Sequence, residues 1–134
     1  MAQALISAEL DLGPIPGGQG RAALRVCERL RGPLSILVGA GGFRSLLSRA
    51  LKLATAKAPW LGGLQIEPDG TITLPAEFAE QLEGSAGGEA ATALVAQLLG
   101  LLITFIGEAL TQRFVQSVYP AATLKSLKPA EVKP

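Results

Sequence analysis

EAATALVAQLLGLLITFIGEALTQRFVQSV, Glu89 to Val118, is the stretch around which the rest of the chain has to be arranged. Eighteen consecutive residues, Ala90 to Gly107, carry no charge. On a helical period Leu94, Val95, Leu98, Leu99, Leu102, Ile103, Phe105 and Ile106 cover nearly the whole circumference. A helix that is apolar all round must be surrounded. What is left is a narrow line of small or polar residues at three- and four-residue steps, running through Gln97, Gly100, Thr104, Gly107 and Glu108. The pattern predicts a mainly α-helical protein: a small helical bundle around one long apolar helix over about 89–118.

Such a helix has three readings. As a core helix of 30 residues it would span about 45 Å, against a radius of gyration of roughly 14 Å for a domain of 134 residues. Either it bends at Gly100 or Gly107, or a second copy covers part of it, with a homodimer the simplest form. As a membrane span, residues 90–110 reach the lower length limit but carry Gln97, two glycines and Glu108, with no basic cluster to set an orientation. As one wall of a ligand pocket it would offer Gln97, Thr104 and Glu108. A buried Glu108 would then need a cation, with Arg113, Arg44 and Arg49 the candidates; a solvated helix end is the plainer account.

Upstream, residues 1–20 read as a flexible arm, a strand or helical turn followed by the linker Gly13 to Gly20. A helix is predicted from Arg21, with Ala23, Leu24, Cys27 and Leu30 on its apolar side, stopped at Gly32-Pro33. Leu34 to Val38 is a short apolar run that periodicity assigns to neither helix nor strand. Phe43, Leu46, Leu47, Ala50, Leu51 and Ala54 then give the clearest amphipathic helix, ending near Lys57. Two alternating segments around Pro68-Asp69-Gly70 predict one short β-hairpin over about 64–74. Pro75 to Glu83 reads as a short acidic helix, Gly84 to Gly88 as a flexible joint, and 120–134 as a disordered tail. Residues 21–119 therefore form a single helical domain.

Composition narrows the chemistry. Apolar residues make up 49% of the chain and charged ones 17%, and there is no histidine. Without histidine the commonest general base and metal ligand is missing, and no Ser-His-Asp or Cys-His arrangement can form. Cys27 stands alone, so neither a disulfide nor a cysteine metal cluster is available within the chain. Ala-, Gly-, Leu- and Arg-rich composition suggests bacterial coding, and the lone cysteine and the absence of a secretory signal pattern suggest the cytoplasm. The run from Leu34 through Gly39-Ala40-Gly41-Gly42 to Phe43 has the outline of a dinucleotide-binding turn. Arg44 stands where the third glycine belongs, however, and no βαβ unit follows. No phosphate-binding loop is present. Trp60, after Pro59, is expected to plug the core between the Phe43 helix and the hairpin.

Charge is split along the chain. Residues 21–57 hold eight basic groups and one acidic, a net +7, whereas 58–112 hold seven acidic groups and no basic one. A basic face including Arg44 and Arg49 suits an acidic protein partner, or the acidic half of a second copy, better than nucleic acid. The sequence thus points to a non-catalytic oligomeric interaction or regulatory module, an adaptor or scaffold that self-associates as a homo-oligomer through the long helix and needs no cofactor or metal. The alternatives are a membrane-associated or single-pass protein using residues 90–110, and a small-ligand binder or enzyme with Glu108 in a pocket.

Overall fold

The computed structural model of the chain describes residues 2–11 and 18–119. It is a helical bundle with one two-stranded hairpin. The elements are α1 (Ala2–Asp11), α2 (Gly18–Val38), α3 (Ala40–Thr55), β1 (Gln65–Ile66), β2 (Ile72–Thr73), α4 (Ala79–Glu83), α5 (Ser85–Ile106) and α6 (Glu108–Val118). Short 3-10 turns at Pro59–Gly63 and Ala76–Phe78 flank the hairpin.

α5 is the central element. Its buried face, Ala91, Leu94, Val95, Leu98, Leu99 and Leu102, packs against α2 and α3, and α1 and α4 lie against it as well. α2 contributes Ala22, Ala23, Val26, Cys27, Leu30 and Leu34, and α3 contributes Phe43, Leu47, Ala50 and Ala54. α3 therefore buries the face that its periodicity predicts.

The predicted helix over 89–118 is divided. It ends at Ile106, and α6 begins one residue later, after Gly107 with φ 92° and ψ 157°. The reason lies in where α6 keeps its apolar side chains. On a straight helix Thr111, Phe114 and Val118 would fall on the side opposite Leu98 and Leu102, away from the bundle. The turn at Gly107 brings that face back, so that Thr111 and Val115 are buried and Phe114 and Val118 pack on the core. A backbone conformation at this φ and ψ is open essentially to glycine alone. With the helix broken, the length that argued for a dimer no longer exists within one chain.

Three other elements differ from expectation. Residues 2–11, assigned to an arm, form a helix whose Leu5 and Ile6 are fully buried; five of its ten residues, Ala2, Leu5, Ile6, Ala8 and Glu9, are buried on one side, which is enough to hold a short helix in place. α2 starts at Gly18 and continues through Pro33 to Val38, taking in the Leu34–Val38 run. Pro33 is exposed, where water can satisfy the carbonyl that loses its N–H partner, while Leu30 and Leu34 are buried. Gly84 to Gly88 is not a joint, because α5 already begins at Ser85. Residues 12–17, in the predicted linker, and the predicted tail 120–134 lie outside the described residues.

The hairpin is antiparallel, pairing Gln65 with Thr73 and Ile66 with Ile72. Its turn is closed by Gly70 N–H donating to the Glu67 carbonyl at 2.8 Å and by Thr71 N–H donating to Asp69 Oδ1 at 2.9 Å. That second bond, followed by weaker effects including Arg31, holds the Asp69 carboxyl below its ordinary value. Trp60 is half-buried against the core and stacks on Phe78, ring centroids 6.4 Å apart.

Candidate interaction surface

α2 and α5 are nearly equal in length, 21 and 22 residues, and both start beside α4: Gly20 lies against the Leu82 carbonyl and Gly87 against that of Gln81. Leu37 near the end of α2 and Leu110 just past the end of α5 line one groove, so the two helices finish near each other. Each then ends in a one-glycine joint of the same shape, Gly39 with φ 85° and ψ 155° before α3, and Gly107 before α6. This end of the bundle is apolar and open. Ile36 is 88% exposed, Phe105 65%, Leu37 47% and Leu110 42%. Phe105 falls on the same side of α5 as Leu94, Leu98 and Leu102, yet it lies beyond the point where the bundle covers that side.

A groove of about 630 Å³ runs between the end of α2 and α6, with Pro33, Ile36 and Leu37 on one wall and Leu110 and Phe114 on the other. Arg113 supplies a charge at its edge. Burying an Ile or Phe side chain is worth about 1.5–3 kcal/mol, so four such side chains left in water at one end are a substantial unused driving force.

The residues singled out by sequence fall in three places. Gln97, Gly100 and Thr104 lie along the outer side of α5, Gln97 partly covered and the other two exposed. The Thr104 hydroxyl donates back to the Gly100 carbonyl at 3.1 Å, and nothing lies within 4 Å of where a Gly100 Cβ would stand. Gly107 is the joint itself. Glu108 is exposed in the first turn of α6, where the helix dipole favours a carboxylate and no buried counter-ion is needed. Arg44 and Arg49 are exposed on α3, and neither has a carboxylate partner among the described residues. The structure therefore does not gather these seven residues into one pocket. Leu34–Val38 is helical, so the strand that a dinucleotide turn would need is not there. Among the described residues no group of His, Cys, Asp and Glu could hold a metal ion.

Sequence reasoning missed two features. One is the open apolar end itself. A signal for it existed: four apolar residues within five, Leu34, Ile36, Leu37 and Val38, cannot all face inward on a helix. The other is a polar cluster with no local signal. Glu9, 2% exposed, accepts from Arg29 Nε at 2.8 Å and Nη2 at 2.9 Å and from the Tyr119 hydroxyl at 2.7 Å. The Arg29 guanidinium also sits 5.8 Å over the Tyr119 ring. Arg29 holds the Glu9 carboxyl below its ordinary value, against the opposing effect of burial, while burial first and then the bond to Glu9 push the Tyr119 phenol up. Burial also pushes the Cys27 thiol up to about 12, leaving it a packed hydrophobe rather than a nucleophile.

The basic and acidic stretches meet at one ion pair among the described residues, Arg21 to Glu83 at 3.8 Å. Arg29 and Arg31 instead use Glu9 and Glu28. No protein-family model, no curated protein and no solved structure matches the chain.

Proposed function

We propose that this protein is a non-catalytic, cytoplasmic interaction module that self-associates through the apolar end of its bundle. The observation that supports this reading is the joint exposure of Ile36, Leu37, Phe105 and Leu110 around the two glycine joints. The basic outer face of α3, with Arg44 and Arg49 exposed and without a carboxylate partner among the described residues, offers a second contact for an acidic partner protein. Light scattering over a wide concentration series tests the main reading. The native chain is expected to form dimers, and Ile36→Asp with Phe105→Asp to weaken the dimer by about a hundredfold. A strict monomer at the highest concentrations would end it.

The membrane reading draws on α5, in which Ala86–Ile106 is long and apolar enough to cross a bilayer, with 39% of its most apolar window buried. To span, that helix would have to leave α2 and α3, which pack on Leu94, Leu98 and Leu102. Flotation of the native protein with lipid vesicles, in place of dimer formation, would select this second reading.

A further inference from the structure

We infer that α6 is an exchangeable arm, and that the place it occupies, beside the end of α2 and reaching Glu9 of α1, accepts α6 from a second copy of this chain. The inference builds on the self-association proposed above and names how the two copies engage.

The first support is the joint. Gly107 N–H donates to the Ile103 carbonyl at 2.9 Å and the Gly107 carbonyl accepts from Thr111 N–H at 3.1 Å, both as in a continuous helix. Residues on either side are helical, so only the dihedrals of Gly107 itself interrupt a rod from Ser85 to Val118. Nothing lies within 4 Å of the position a Gly107 Cβ would take, so no packing locks the bend at that point. One residue turning into the helical region would produce a rod roughly 50 Å long.

The second support is the direction in which α6 would then face. In the straight form Thr111, Phe114 and Val118 point away from their own bundle and cannot be covered by it. A second copy that has opened in the same way offers the matching vacancy. Its Glu9 and Arg29 have lost the Tyr119 that bridged them, and its core has lost Val115. Tyr119 of one copy would then donate to Glu9 of the other, and the exchange is reciprocal, which closes the assembly as a two-fold dimer rather than a filament.

The third support is that α6 leaves its own resting place imperfectly filled. The groove of about 630 Å³ between α2 and α6 stays open, and Leu110 and Phe105 are exposed on either side of the joint. In the exchanged dimer the open ends of the two bundles are brought against each other, which covers Ile36, Leu37, Phe105 and Leu110 as the closed form does not.

The test follows one chain within the assembly. Ser7 on α1 and Ser117 on α6 are both exposed. Ser7→Cys and Ser117→Cys in a Cys27→Ala background would carry two spin labels, and the labelled chain would be diluted into excess native chain. The expected result is a dimer in which the distance between labels on one chain is longer than in the monomer. Gly107→Ala, which strains the bend but suits the rod, should raise the dimer association constant about tenfold or more. A dimer that keeps the monomer's short distance removes the exchange and leaves self-association standing. A native chain that stays monomeric removes both. A folded Gly107→Ala chain with an unchanged association constant also removes the exchange, and if that variant fails to fold, the distance in the native dimer decides.

Discussion

Glu9 shows how one residue can set the pH limits of a fold. Its carboxylate is buried and held by three hydrogen bonds, two from Arg29 and one from Tyr119. Arg29 lowers its pKa from the ordinary 4.5, so the cluster contributes its full stability above that value and loses it as pH falls through the lower, folded value. The Tyr119 phenol moves the opposite way, raised from its ordinary 10.0 by burial and then by Glu9. Its contribution is complete below pH 10 and fades as pH rises toward the folded value. Stability from this cluster should therefore be level between roughly pH 4.5 and 10 and decline on both sides. Tyr119→Phe removes one donor and leaves Glu9 with Arg29. Urea unfolding at neutral pH should show a loss of about 1–2 kcal/mol, with a shallower alkaline decline than in the native chain. Because Tyr119 is the chain's one tyrosine, phenolate absorbance follows its titration directly. None of this could be read from sequence, since no periodicity relates residues 9 and 119.

At the scale of elements, what was legible depended on whether the signal was local. The amphipathic face of α3 and the Pro68-Asp69-Gly70 turn are written in neighbouring residues, and both form where their patterns place them. Helix ends were less legible, because a glycine or proline states what a backbone can do and not what its surroundings require. Pro33 does not stop α2, since packing of Leu30 and Leu34 holds the helix through it. Gly87 reads as flexible by composition, yet a Cβ there would run into the Gln81 carbonyl, so the absence of a side chain is what lets α5 start against α4. Gly87→Ala must displace backbone rather than a flexible side chain, and thermal unfolding should register a loss of about 2 kcal/mol or more. Gly107 carries the opposite lesson. The helical pattern runs through it without interruption; length alone offered a bend there or at Gly100, and the position of α6's apolar face relative to that of α5 explains why the break falls before α6.

At the scale of the whole molecule the candidate surface was half legible. The line Gln97, Gly100, Thr104 does occupy one exposed side of α5, as its spacing implies. The larger apolar exposure lies elsewhere, at the shared end of α2 and α5, and it depends on where the bundle stops rather than on any residue pattern. The charge split was visible in sequence, but how it resolves was not. All three basic groups on α3, Arg44, Arg49 and Lys52, are exposed, and so are both side chains of the pair that joins the two stretches, Arg21 and Glu83. Such a pair adds less than about 1 kcal/mol, so the split is better placed to orient a partner than to hold the fold.

The bond between Glu9 and Tyr119 also joins positions 110 apart in sequence, and it makes a loop of almost the whole described chain. Closing so long a loop costs only slowly more entropy than closing a short one, but the contact can form only after the bundle between its ends has assembled. Opening of α6 removes Tyr119 but leaves Glu9 its two hydrogen bonds from Arg29, so α1 keeps a hold on the bundle that α6 lacks. Native-state hydrogen exchange should find the amides of Val115 and Val118 opening at lower free energy than those of Leu5 and Ile6, whereas all four opening together would show that α6 cannot leave a standing α1.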